Sequence, residues 1–177
     1  MSNSGISMVV GGIPFTTCGK YYENGRQVIC HGIKEGKQYA IRYAGKELAK
    51  LLPEGAVIVP IPNRCGYARE TLELAHVMNE YSGTPIADVL RGKPRESQYL
   101  AKKEGRLLTS NDMGFHLMSS LPYGKTPVLI DNCADSGETA KSAYDAIGQR
   151  GEVLCFAVSD RLMAQAEENI VSNRLKR

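Results

Sequence analysis

Val128-Leu129-Ile130-Asp131-Asn132-Cys133-Ala134-Asp135-Ser136-Gly137-Glu138-Thr139-Ala140 is the stretch that decides how this chain is read. Val128 to Ile130 read as the end of a fully buried strand, and a polar turn follows. From Thr139 to Gln149 the positions Ala140, Ala143, Ala146 and Ile147 have helical spacing. A buried parallel strand that passes through a tight turn into a helix places the turn at the carboxyl edge of a sheet, where open α/β folds bind ligands. The unpaired N–H groups of the helix, and the positive end of its dipole, then point into the turn. Ser136, Gly137 and Thr139 supply two hydroxyls and open backbone access, which suits a phosphate monoester. Asp131 and Asn132, expected at the strand's tip, are placed to grip a sugar diol or a metal-bound ligand. The bland alternative is an ordinary strand–turn–helix connection.

Working outward, Val57 to Ile61 is a second continuous apolar run and reads as a buried parallel strand. The loop after it, Pro62-Asn63-Arg64-Cys65-Gly66-Tyr67-Ala68-Arg69, is expected to leave the same sheet edge. Its arginines offer planar forks and its glycine permits close backbone approach, so a pyrophosphate would fit there as well as a plain solvated turn. Helical spacing is read over Gln38 to Leu52, ended by Pro53 and Gly55, and again from Leu72 through Tyr81, stopped by Gly83 and Pro85. Ile86 to Leu90, Gly114 to Met118 and Val153 to Val158 read as further strands. Met163, Ala166 and Ile170 suggest a C-terminal helix with a basic tail.

Residues 91–113 carry six basic side chains (Arg91, Lys93, Arg95, Lys102, Lys103, Arg106) against Glu96, Glu104 and Asp112, without apolar periodicity. Such a segment reads either as a mobile flap that closes over a polyanion or as a solvated surface loop. Near the N-terminus, Asn24-Gly25 between Tyr21-Tyr22 and Val28-Ile29 is a hairpin signal.

Composition narrows the function classes. At 177 residues the chain is read as one domain, 1–177, long enough to bury a sizeable core. A net charge of +3 is too small to imply a nucleic-acid partner. No apolar run reaches membrane-spanning length and no signal-peptide core is evident, so no membrane partner is expected. Five cysteines without a CxxC pair argue against a disulfide scaffold or a structural zinc, and point to a reducing cytoplasm.

The central stretch resembles the phosphoribosyl-pyrophosphate (PRPP) motif of type I phosphoribosyltransferases: an apolar strand, an acidic pair, three variable residues, Ser/Thr-Gly, one variable residue and Thr. Asn132 stands where the second carboxylate of that pair usually sits. Tyr21 to Gly36, Val57 to Pro62 with Arg64, Gly66-Tyr67, Glu73 and Leu74, and then Arg91, Gln98, Leu100, Arg106 and Phe115, are similar in order to the ComF-type, competence-related branch. That branch's N-terminal zinc ribbon has no counterpart here, and it tends to run helical where Asn24-Gly25 signals a hairpin.

The resemblance covers about residues 20 to 160 and implies a doubly wound parallel α/β sheet, the type I phosphoribosyltransferase core, with a small hood subdomain formed by 91–113 plus the N-terminal 1–37. It implies transfer of phosphoribosyl from PRPP to a small nitrogenous acceptor, purines among the candidates, with magnesium and release of pyrophosphate. Asp131 and Asn132 would take the ribose and Ser136, Gly137, Glu138 and Thr139 the 5'-phosphate, within a PRPP-binding run that also includes Cys133, Ala134 and Asp135. Asn63, Arg64, Arg95 and Arg106 would take pyrophosphate, and Asp131 is the candidate metal ligand. Asp135, like Asp131, is a catalytic candidate. Enzymes of the family that act on 6-oxopurines carry Asp at that position facing the base, whereas the plain reading makes Asp135 a helix N-cap. A non-catalytic PRPP-binding regulator or DNA-uptake accessory protein is the alternative, and a homodimer is open to either.

Overall fold

The computed structural model describes residues 5–106 and 108–166. Its main sheet has five strands in the order β1-β2-β7-β6-β3. β1 (Ile6–Val10) and β2 (Ile13–Thr17) form an antiparallel hairpin turned at Gly11-Gly12, while β2, β7 (Glu152–Val158), β6 (Thr126–Ala134) and β3 (Ala56–Pro60) run parallel. The inner strands are continuous in apolar residues because both their faces are covered. On one face α1 (Arg26–Lys34), α2 (Gln38–Ala49) and α3 (Glu70–Ser82) bury Ile33, Ile41, Leu48, Leu74 and Met78 against Ile58, Val128, Ile130 and Phe156. On the other, α6 (Glu138–Ala146) and a helical segment over 160–166 pack Ala140, Ala143, Ile147 and Leu162 against Val59, Leu129 and Val153. Helices on both faces of a mostly parallel sheet make this the doubly wound α/β architecture expected from the sequence.

Several local expectations need correction. Asn24 and Gly25 do take positive φ, 52° and 72°, but the chain then enters α1. The hairpin alternative fails because Cys30 and Ile33, three apart, bury one helical face against the sheet. Ile86 to Leu90 is not one strand. Its pairing is split between two partners: Ala87 N–H donates to Ile58 O at 2.8 Å, whereas Val89 O accepts from Met118 N–H at 2.8 Å. Only β4 (Leu90–Arg91) and β5 (His116–Leu117) form a small second sheet.

Between those two strands the segment read as patternless contains α4 (Gln98–Lys103) and α5 (Ser110–Met113). The Ser97 hydroxyl caps α4, Thr109 and Asp112 form a capping box on α5, and Ala101 and Met113 are fully buried. Of the expected C-terminal helix, Met163 and Ala166 lie in the helical segment; Ile170 and the basic tail fall outside the described residues. No helix among the described residues is long and apolar enough to cross a membrane.

Candidate active site at the carboxyl edge of the sheet

β6 does not stop at Ile130. It continues through Asp131, Asn132, Cys133 and Ala134, since β7 is long enough to pair Asp131 with Cys155, Cys133 with Ala157 and Ala134 with Val158. Asp131 and Asn132 therefore lie within the strand, not at its tip, and the turn proper is Asp135 to Gly137. Gly137 takes φ +80°, the left-handed conformation in which glycine is least strained, and forms the N-cap of α6 without any side-chain cap. Asp135 therefore does not cap this helix. The Ser136 hydroxyl instead accepts from Glu138 N–H at 3.4 Å.

Asp131, Cys133, Ala134 and every residue from Asp135 to Thr139 line one cleft of about 780 Å³. Asn132 is not in that lining. Its N–H donates to Asp131 Oδ1 at 2.7 Å, and its carbonyl accepts from the Cys30 thiol at 3.7 Å. Burial pushes the Asp131 carboxyl up to about 6, although the N–H groups of Asn132 and Cys133 and the charges of Lys34 and Arg95 pull in the opposite direction. The Asp135 side chain is exposed to the cleft, and its carbonyl accepts from the Ser159 hydroxyl at 2.8 Å.

The four pyrophosphate candidates do not come together in the cleft. Arg106 lines it, but its guanidinium holds Glu96 and Glu104, each at 2.6 Å. Asn63, Arg64 and Arg95 form a neighbouring group outside the cleft lining. The Asn63 side chain organises its own loop: Oδ1 accepts from Cys65 N–H and Nδ2 donates to Glu70, both at 2.8 Å. Arg95 donates to Asn63 O at 3.2 Å and lies 5.3 Å over the Phe115 ring. Burial lowers its pKa, and the nearby Asp131 charge raises it. Arg64 is exposed at the loop tip.

Basic residues outside the assigned site set also border the cleft, Lys102 being one already counted in the basic 91–113 segment. Lys34, from the last turn of α1, and Lys102 and Arg161 line the cleft, and none of these forms a salt bridge among the described residues. Lys34 was hidden because Asn24-Gly25 signals a hairpin there; even as the end of a helix, a basic residue ordinarily means a complemented dipole. Thr109 and Leu108 bring the hood to the rim, and Ile13 and Phe15 bring the sheet floor. Such an arrangement, a helix N-terminus with two hydroxyls, one desolvated carboxylate and a basic border, can hold a phosphorylated polyol.

No protein-family model matches this chain, and no curated protein matches its sequence. Among solved structures, that of the allosteric regulatory enzyme of purine biosynthesis is similar with a TM-score of 0.43 at 20% identity over 67% of this chain. The chain spans 25% of that enzyme's length.

Proposed function

We propose that this protein is a phosphoribosyltransferase of the type I class, transferring the phosphoribosyl group of PRPP to a small nitrogenous acceptor and releasing pyrophosphate. The observation that carries the reading is the passage of buried strand β6 into the Asp135–Thr139 turn at the start of α6, with Asp131 facing the same cleft. In this reading the N–H groups of the turn, with the Ser136 and Thr139 hydroxyls, bind the 5'-phosphate. Asp131 accepts from the ribose hydroxyls. Arg64 from the adjoining loop and Arg95 from the hood leg bonded to it meet the pyrophosphate, and Arg106 joins them by exchanging its hood carboxylates for phosphate oxygens. Asp135 takes the acceptor's proton. Fixing the phosphates on rigid elements and excluding water from the anomeric carbon would protect the cationic sugar that forms as pyrophosphate leaves.

No group of three or more His, Cys, Asp or Glu among the described residues could hold a metal by itself. Magnesium is ordinarily carried on substrate phosphates with one or two protein carboxylates, and in this reading Asp131, which lines the cleft, would be the carboxylate. When bound, the ion neutralises charge on the departing pyrophosphate. The setting proposed is the cytoplasm, where five thiols stay reduced.

A non-catalytic PRPP-binding regulator is the second reading, and Asn132 favours it: the second carboxylate is replaced, and this residue is absent from the cleft lining. Pyrophosphate release from PRPP and magnesium, measured against a panel of purine and pyrimidine bases, separates the two. Turnover with one base supports the transferase. Binding of PRPP with no turnover on any base supports the regulator.

A further inference from the structure

Glu138 stands between the serine–glycine turn and Thr139, at the first position of α6, and its carboxylate is engaged by the hood segment. Its Oε2 accepts from the backbone N–H of Ser110 at 3.1 Å. One helical turn further along α6, the Ser142 hydroxyl donates to the Ser110 carbonyl at 3.0 Å. Ser110 opens α5, the short helix on the returning leg of the hood, and its two backbone polar groups are thus both tied to α6. The same leg is anchored at its far end by buried Met113, whose carbonyl accepts from Lys93 N–H at 2.9 Å.

We propose that Glu138 is a positioning residue, a latch that fastens the hood to the helix carrying the phosphate-binding turn. It does two things at once. It keeps Thr109, Leu108 and, through the chain, Arg106 at the rim of the cleft. It also engages on the hood a carboxylate whose negative charge, left at the N–H groups that would receive an anion, would oppose binding. The second effect rests on the phosphate reading given above; the first does not.

These two effects make opposite predictions for simple charge removal, which renders the latch testable. If Glu138 were merely an unfavourable charge near the turn, Glu138→Ala and Glu138→Gln would both tighten PRPP binding. As a latch, Glu138→Ala releases the hood, while Glu138→Gln keeps an oxygen that accepts from Ser110. A second variant removes the other partner. Ser110→Pro deletes the donating N–H, together with a serine hydroxyl that takes no part in either bond to α6, and keeps the backbone path, since proline is tolerated at a first helical position and Thr109, at φ −98° and ψ 172°, already has the extended backbone that a residue before proline adopts.

The experiment is limited trypsin digestion of the full chain without ligand, followed by calorimetry with PRPP and magnesium. Cleavage after Lys102, Lys103 or Arg106 is expected to accelerate about tenfold in Glu138→Ala and in Ser110→Pro, as losing a hydrogen bond to a charged group implies. The double variant should be no faster than either single one, and Glu138→Gln should stay close to wild type. PRPP binding is expected to weaken in Glu138→Ala and Ser110→Pro only. Unchanged hood cleavage in both variants, or equal tightening of PRPP in the Ala and Gln variants, overturns the latch. Accelerated cleavage in a protein whose wild type binds no PRPP leaves the latch standing and overturns the phosphoribosyltransferase reading instead.

Discussion

The backbone N–H of Arg95 donates to the carbonyl of Arg64 at 2.9 Å, so two of the three arginines proposed for pyrophosphate are carried by backbones that are bonded together. A second link, Gly92 N–H to Gly66 O at 2.8 Å, runs parallel to the first. The loop after β3 and the outgoing leg of the hood thus form one unit.

Gly66 shows how tight that unit is. It has φ +90°, and a Cβ there would collide with the Gly92 carbonyl oxygen. Gly66→Ala is therefore expected to cost about 1–3 kcal/mol of stability from backbone strain, and more if the two legs are forced apart. Thermal unfolding measures it, and pyrophosphate affinity should fall in the same variant. An alanine that is neutral in both would mean the two segments are not coupled.

The two arginines should then behave differently. Arg64 is exposed at the loop tip, so Arg64→Ala is expected to weaken pyrophosphate binding by about tenfold or more while leaving the unfolding temperature unchanged. Arg95 also braces the loop through Asn63 O and Phe115, so Arg95→Ala should lower both quantities. Calorimetry and thermal melts on the pair test this. Equal melting temperatures for the two variants would deny Arg95 its bracing role.

Asp131 makes the protein's pH dependence specific. Its folded pKa, about 6, lies above the ordinary aspartate value, so between about pH 4 and 6 the folded state keeps a proton that the unfolded chain has released. The stability this contributes is full below the lower value and is lost as pH rises through the upper one. Urea unfolding of wild type against Asp131→Asn should show a difference of order 1–3 kcal/mol across that window, with Asn flattening the slope. PRPP affinity should move the other way, rising through pH 6 as the carboxylate ionises to accept the ribose hydroxyls. A wild-type slope identical to that of Asp131→Asn would contradict the assignment.

How far the sequence could be read depended on what kind of residue set each feature. Val128 to Ile130 and Val57 to Val59 announced parallel strands because burial on both faces demands continuous apolar runs. The end of β6 was hidden, because Asp131 to Ala134 extend the strand only by pairing with residues some twenty positions later, which no local pattern displays. α4 and α5 were hidden for a different reason. Helices of six and four residues are too short to show a period, and these are held by caps and by two buried side chains. Arg106 was picked out by its charge, but the sequence does not say that Glu96 and Glu104 hold it.

Ser136 and Thr139 supply the next test. Among the described residues neither hydroxyl is locked into a strong internal bond: that of Ser136 accepts Glu138 N–H only at 3.4 Å. Replacing both by alanine should therefore barely alter stability, while each hydrogen bond lost to a phosphate should cost about 1.5–3 kcal/mol of PRPP binding. Calorimetry that finds equal PRPP affinity in wild type and the double variant would remove the turn from phosphate recognition.

Asp135 separates chemistry from binding. As a helix cap it would be replaceable by Asn, which caps about as well. The cap of α6, however, is Gly137, and Asp135 contributes only its carbonyl, which accepts from the Ser159 hydroxyl; that hydroxyl in turn accepts from Leu162 N–H at 3.1 Å. The backbone is thus pinned between the turn and the segment bearing Arg161, while the carboxylate stays free to face the cleft. Asp135→Asn preserves that backbone and the side chain's shape, and removes only its capacity to take a proton. The expected outcome is an unchanged melting temperature, PRPP affinity within about threefold of wild type, and transfer to the acceptor reduced by about 10²–10⁴-fold, the range ordinarily lost with a general base. The loss should be in turnover rather than in acceptor affinity, because the proton leaves during the reaction and not on binding. A variant that transfers at the wild-type rate would exclude Asp135 as the base, and a variant that melts earlier would return it to a structural role.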